Sequence, residues 1–424
     1  MKKYLNIINK LQKKFNINER DNLKSLVNYS NYKNMPFQNW CNYQEGFSPH
    51  ILNWFIEHNK IDLQKGVFLD PFCGSGSSLI SARDLGFNVV GLDINPFSCE
   101  LTKTKLENYS KNDLKIIELF EIPTFNKING IYDKYEFSMT ERLFSKDNFI
   151  KIELLKSSIL KITQKNPRDF LFTALVSCLE HCSHYKKAGN GLKRKKKQQD
   201  IDFFAEFISK KKIMLKDIQI YKSTSNFNVY NKGIKEIDSL IKDESIDLSF
   251  FSPPYPNCFD YFEVYKIELW IGEFVQSYSQ LKSMRKSAIT SNLNANLDQD
   301  ISDINPSELS ILLAESLIKL SKKDLWNKKI PKMVLLYFYE MDIFLGDLFL
   351  KMKKGSKTGI VIGNSSYGGI PILSDLILSE IAQKNGFNVD EIVIARKNET
   401  ASQQYKNISS LIKYVRESII VLSK

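Results

Sequence analysis

The sequence predicts an α/β fold, an open and largely parallel sheet carrying helical insertions, and three observations predict it. First, Val67-Phe68-Leu69-Asp70 is a short apolar run that breaks into Pro71-Phe72-Cys73-Gly74-Ser75-Gly76-Ser77-Ser78, and a second run, Asn88–Leu92, ends on Asp93. Strand, Gly-rich turn, helix and strand follow one another, with a carboxylate about 20 residues past the glycines, a spacing that places an acid on a ribose. Second, Ile246–Phe251 has the length and bounding of a buried strand and stops at Ser252-Pro253-Pro254-Tyr255. Two prolines cannot continue a strand, so the chain must turn there, at the carboxyl end where open parallel sheets hold ligands. Third, the long tracts between these runs carry helical periodicity.

Taken in order, residues 1–35 form a lead-in helix, with Leu5, Ile8, Leu11 and Phe15 at helical spacing. In the stretch that follows, Ser48 is placed to cap a helix with Pro49 at its first position and an apolar stripe of Ile51, Leu52 and Phe55. After the strand at 67–70, Ser77 or Ser78 is expected to cap the next helix and Gly86 to end it. Helical patterning dominates 101–225, as in Ile152-Leu154-Leu155-Ile159-Leu160 and Phe170-Leu171-Ala174-Leu175. Within it, Lys186–Lys197 is a basic run in a Gly/Asn-bearing break, expected as a flexible loop reaching away from the core. Phe227–Tyr230 reads as a third strand and Ile234–Ile241 as a helix. Residues 276–330 are a polar, mostly helical insertion; Leu335–Met352 reads as a helix and Gly359–Gly363 as a strand. Val393-Ile394 and Ile419-Ile420-Val421 suit a closing antiparallel pair, with a polar loop containing Arg396-Lys397 and Ala401–Gln404 between them.

The bulk composition limits the function. A chain of 424 residues is too long for one minimal core. A net charge of +12 favours a polyanionic partner. Forty-three per cent hydrophobic residues argues against disorder, and no apolar run approaches a membrane span. Met1-Lys2-Lys3-Tyr4 leads into no signal-peptide core, so a cytoplasmic location is expected, and the six cysteines are read as reduced thiols. Cys178, His181, Cys182 and His184 lie too close together on one helix to surround a zinc ion, so no metal is assigned. Cys258 is read as structural, since Asn257 separates it from the proline and Ser252 already occupies the strand end.

Asp70–Gly76 and Ser252-Pro253-Pro254-Tyr255 together resemble the cofactor loop and the catalytic tetrapeptide of the amino-methylating DNA methyltransferases. Matching pieces include Tyr43–Pro49, Phe259-Asp260-Tyr261, Glu268-Leu269-Trp270 and Arg416–Ile420. The resemblance covers roughly 36–100, 227–275 and 333–424. It implies a Rossmann-like S-adenosylmethionine-dependent methyltransferase sheet, with S-adenosyl-L-methionine as cofactor and double-stranded DNA as substrate. A cognate restriction endonuclease is implied as partner. The implied layout is a cofactor half at 36–125, an insertion at 126–222, a catalytic half at 223–275, a second insertion at 276–330 and the sheet's end at 331–424. Either insertion is a candidate DNA-recognition region.

The cofactor would lie against Tyr43, Glu45, Phe47, Ser48, Asp70, Pro71, Phe72, Gly74, Gly76, Asp93 and Ile94. Lys232-Gly233 stands where the family often has Gly-Asp. Within the family a leading serine goes mostly with N4-methylation of cytosine, so that reaction is expected here. N6-adenine methylation is the alternative, since the cofactor loop precedes the tetrapeptide, unlike the commoner N4-cytosine order. Ser252 Oγ and the Pro253 carbonyl would accept the amine hydrogens, with Pro254 shaping the turn, and Tyr255 would stack on an extruded base. On such a substrate, Lys186, Lys187, Lys193, Arg194, Lys195, Lys196 and Lys197 become candidate phosphate contacts, with Arg285 and Lys286 beside them. An RNA amine methyltransferase and a non-catalytic nucleic-acid binder are the other readings; cofactor binding separates the binder from the enzymes.

Overall fold

The computed structural model describes residues 2–27, 35–44, 46, 48–62, 66–124, 134–196, 200–298, 306–319, 325–397 and 412–424. The strands in chain order are β1 (Ile17–Glu19), β2 (Val67–Asp70), β3 (Asn88–Leu92), β4 (Tyr185–Ala188), β5 (Gly191–Arg194), β6 (Phe227–Tyr230), β7 (Ile246–Phe251), β8 (Met352–Gly363), β9 (Ser365–Tyr367), β10 (Ile370–Ile372), β11 (Asn388–Lys397) and β12 (Arg416–Ser423). Eight of them form one sheet in the order β1-β11-β12-β8-β7-β2-β3-β6. Among the described strands of this sheet only β12 runs against the others: it pairs antiparallel with β8 and β11, and the remaining pairs are parallel. The expected closing pair is present, with Val393 opposite Ile419. The chain steps from β2 outward to β3 and β6, then returns to the other side of β2 as β7. That reversal opens a crevice between the carboxyl ends of β2 and β7, the position such sheets use for ligands.

Alternation along the strands builds a core on each face of the sheet. Phe68, Leu248, Phe250, Ile419 and Val421 enter one core, joined by Ile51, Leu52 and Phe55 of helix His50–His58 and by Phe170, Leu171, Ala174 and Leu175 of helix Lys165–Cys182. Leu69, Ile246, Phe251, Ile420 and Leu422 enter the other, beneath helices Ile330–Lys351 and Ser374–Lys384. The lead-in helix, Lys2–Lys14, adds Ile8 and Leu11 to this second core, and Tyr4 donates to the Pro371 carbonyl at 2.8 Å. The described part of 126–222 packs into the first core against the helix that follows β3, through Phe170 and Leu171 among others. No described helix is long and apolar enough to cross a membrane.

Several local expectations need correction. The helix after β2 is Ser77–Asp84, and neither serine caps it. Gly76 holds the cap position at φ +81°, while Ser77 Oγ donates to Gln38 and Ser78 Oγ donates to Asp70. Gly86 does follow the helix, at φ +91°. Helix His50–His58 begins one residue later than Ser48 and Pro49 suggest, and Ser48 Oγ accepts from the His50 N–H at 3.1 Å. Residues 234–240 form a 3-10 turn and one helical turn, with no longer helix. The basic run is not a loop: β4 and β5 pair across Gly189-Asn190 as a hairpin. The polar loop at 401–404 lies outside the described residues.

Candidate active site

Asp70 ends β2 and is 2% exposed. One carboxylate oxygen accepts from the Phe72 N–H at 2.9 Å and the other from the Ser78 hydroxyl. Burial pushes its carboxyl up to about 7, against the lowering effect of those two bonds. Gly74 turns the loop at φ +50°, and its missing side chain leaves room for Tyr43, whose Oη lies 2.9 Å from where a Cβ would be. Tyr43 Oη in turn meets Ser98 Oγ at 3.0 Å. Asp93 follows β3 and ties the two turns together: Oδ2 accepts from Gly74 N–H at 2.9 Å and Oδ1 from Asn95 N–H at 2.8 Å. Burial raises this carboxyl to about 6. Each carboxylate thus keeps lone pairs for a ligand while its backbone bonds fix its direction.

The tetrapeptide leaves β7 at the neighbouring position. Ser249 Oγ, inside β7, donates to the Leu69 carbonyl of β2 at 2.9 Å, locking the two strand ends together. Ser252 is half-buried, and its Oγ donates to Tyr255 Oη at 3.4 Å. Tyr255 Oη donates to Glu417 Oε1 of β12 at 2.6 Å. The turn is clamped from behind, where Tyr367 Oη donates to the Pro256 carbonyl at 3.0 Å and Cys258 N–H to the Ser291 carbonyl at 3.1 Å. Cys258 is buried, with Sγ 3.2 Å from Tyr367 Oη.

These strand ends open on a cleft. Of the candidate residues, Tyr43, Asp70, Pro71, Phe72, Gly74, Asp93, Ile94, Ser252 and Pro254 line it. Gly76, Ser48, Pro253 and Tyr255 do not. Gly76 packs against Thr102, which a Cβ would approach within 2.8 Å. Ser48 is fully buried, and its N–H donates to the Leu26 carbonyl. Pro253 is buried behind the turn, and Tyr255 stands one hydrogen bond further back. Glu45 and Phe47 lie outside the described residues.

Sequence reasoning missed part of this wall. Ala288, Ile289, Ser291 and Asn292 come from the second insertion and carry no motif. They are held by Glu340, which accepts from Thr290 N–H at 2.6 Å and from Thr290 Oγ1 at 3.1 Å. Lys105 was missed as well. It is 1% exposed, burial lowers its ammonium to about 7, and it donates to the Ser75 carbonyl of the cofactor loop at 2.8 Å. Its helical neighbours gave no sign that this lysine turns inward.

The basic candidates divide by burial. Lys187 is 7% exposed; its ammonium lies 2.6 Å from Glu268, 3.4 Å from Glu180 and 4.1 Å from the centre of the Tyr265 ring. It is structural and cannot face phosphate. Lys195 caps the helix Lys165–Cys182 by donating to the His181 carbonyl at 2.7 Å and the Glu180 carbonyl at 3.2 Å. Arg285 is engaged by Asp260 at 3.3 Å and by Glu263. Lys186, Lys193, Arg194, Lys196 and Lys286 are exposed, and Lys197 lies outside the described residues.

A site that pairs an acid-lined nucleotide-type pocket with a proline-rich turn belongs to a methyl-transferring class, and the comparisons agree. The profile described as D12 class N6 adenine-specific DNA methyltransferase matches residues 49–323, and the chain belongs to that family. It is 28% identical over 415 residues to the Type II methyltransferase M.AvaI of Nostoc sp., covering 90% of this chain and 85% of that one. It is 27% identical over 486 residues to the Type II methyltransferase M.BsoBI of Geobacillus stearothermophilus, covering 100% and 91%. A solved structure, a putative S-adenosylmethionine-dependent methyltransferase from Listeria monocytogenes, aligns over 88% of this chain and 96% of its own at 9% identity with a TM-score of 0.30. The protein is an S-adenosylmethionine-dependent DNA methyltransferase. The cleft fits that cofactor, because Asp70 and Asp93 both bring carboxylates to its wall, the chemistry an ammonium and hydroxyls would meet.

Proposed function

We propose that this chain methylates the exocyclic amine of a base extruded from duplex DNA, the N6 amine of adenine, as the modification enzyme of a Type II system. The observation that carries the reading is that Ser252 and Pro254 share one cleft with Asp70, Gly74 and Asp93, so acceptor and donor groups face a common space. Membership of the N6-adenine family supports adenine, and the two Type II relatives support the modification role. One residue favours a second reading. Ser252 is a neutral acceptor where the adenine enzymes usually place Asp or Asn, and it keeps N4 of cytosine in view.

Bound S-adenosylmethionine supplies an electrophilic methyl group on sulfur. Asp93 takes the ribose hydroxyls, and Asp70 with the Gly74 backbone lines the amino-acid end. The amine lone pair is delocalised into the ring, and Ser252 Oγ, on the cleft wall, accepts an amine hydrogen so that the lone pair points at the donor. Tyr255 stands behind Ser252, one hydrogen bond from the cleft. No covalent attachment to the protein is needed, and the gain is alignment of two bound reactants. The exposed cations of the hairpin, Lys186, Lys193 and Arg194, with Lys196 just past β5, meet phosphates.

Nucleoside mass spectrometry of DNA from cells expressing the chain tests the assignment. N6-methyladenine is the expected product. N4-methylcytosine alone selects the second reading, and DNA with neither base modified defeats both.

A further inference from the structure

A directed run of hydrogen bonds leads from the cleft into the protein. Ser252 Oγ donates to Tyr255 Oη at 3.4 Å, and Tyr255 Oη donates to Glu417 Oε1 at 2.6 Å. Both links point from the cleft towards a carboxylate that is 5% exposed. Arg396 Nε holds the other carboxylate oxygen at 2.5 Å, which fixes Glu417 with Oε1 turned to the tyrosine. The Tyr255 ring lies against Gly363 of β8, where a Cβ would come within 2.6 Å of it, so the phenol has little freedom to leave this line. The first link is long for two hydroxyls, as such contacts often are before substrate binds.

The reaction supplies a proton for this run to carry. The amine lone pair takes the methyl group from sulfur, which keeps the electron pair of the broken bond. The nitrogen is then left with one hydrogen more than the product retains. A serine hydroxyl accepts that proton only by passing on its own. We propose that Tyr255 and Glu417 complete the transfer: Ser252 Oγ takes the amine proton and gives its own to Tyr255 Oη, and Tyr255 gives its own to Glu417. Each hydroxyl ends neutral and Glu417 ends as the carboxylic acid, which returns the proton to water between turnovers. The run does for Ser252 what a carboxylate in its place would do alone. The proposal rests on the exocyclic-amine reading above.

Tyr255→Phe keeps the ring and breaks the run; Glu417→Gln keeps the shape and removes the acceptor. On DNA that the wild type modifies, each variant is expected to slow single-turnover methyl transfer by about 10²-fold. The KM for DNA and the affinity for S-adenosylmethionine should stay within about twofold, and the double variant should be no slower than either single one. Transfer by Tyr255→Phe at the wild-type rate overturns the relay, as do losses that multiply in the double variant. If Glu417→Gln alone loses activity together with thermal stability, Glu417 is structural and the relay is overturned too. Failure of the wild type to methylate any DNA amine would be seen before any variant is made, and defeats the reading beneath the proposal.

Discussion

Asp70 shows how burial at one residue becomes a pH dependence. An aspartate in an unfolded chain ionises near 3.9, whereas this one is pushed up to about 7 by burial. The stability it contributes to the unliganded fold is therefore fully present below its ordinary value and is lost as pH rises through about 7. A bound ammonium group favours the opposite, ionised form, so cofactor binding below that pH must first remove a proton. Calorimetric affinity for S-adenosylmethionine is expected to hold near neutrality and fall by up to about tenfold for each pH unit below 7. Asp93, raised to about 6, steepens the lower end. Asp70→Asn should flatten the upper part of the profile, and an affinity constant from pH 7.5 to 5.5 would remove Asp70 from the binding site.

At the level of elements, the β4–β5 hairpin separates structural from functional charge by strand alternation. Lys187 stands opposite Leu192 and turns inward, while Lys186 stands opposite Lys193 on the exposed face. Replacing Lys193, Arg194 and Lys196 with glutamine should weaken DNA binding on every sequence and flatten its salt dependence by about 0.9 in the log–log slope for each phosphate left without its cation. Lys187→Met should leave that slope alone and destabilise the fold by about 3–5 kcal/mol in thermal unfolding, because it strands the buried Glu268. The opposite pattern would exchange the two roles. The hairpin was partly legible in advance, since Gly189-Asn190 is a two-residue turn signal. The inward lysine was not. Its partners are a glutamate on the preceding helix and another far along the chain, and nothing local distinguishes Lys187 from Lys186. The edge strand Ile17–Glu19 escaped for a different reason, as three residues are too few to show a period.

Across the molecule, the strands that could be read from sequence are those with continuous apolar runs, β2, β3 and β7 above all. They happen to carry both halves of the site. The wall at 288–292 was illegible because Glu340 places it, and that contact spans two elements with no shared pattern. The sheet's far side makes a separate prediction. β12 is bonded on both flanks, to β8 and to β11. A chain ended at Lys397 exposes two strand edges and loses Ile419, Ile420, Val421 and Leu422 from both cores. It should show no cooperative unfolding transition in calorimetry. A truncated chain that melts cooperatively near the full-length temperature would mean that the sheet closes without its last strand.

The bond from Ser249 to the Leu69 carbonyl joins residues 180 positions apart. Adjacent strands sit about 4.8 Å from each other whichever is synthesised first. The two loops that must meet across the cleft are therefore blind to chain order. A gene rearranged to encode the tetrapeptide segment ahead of the glycine loop could specify the same rung. Over evolutionary time, insertions between the two segments can be gained, lost or traded while the chemistry stays in register.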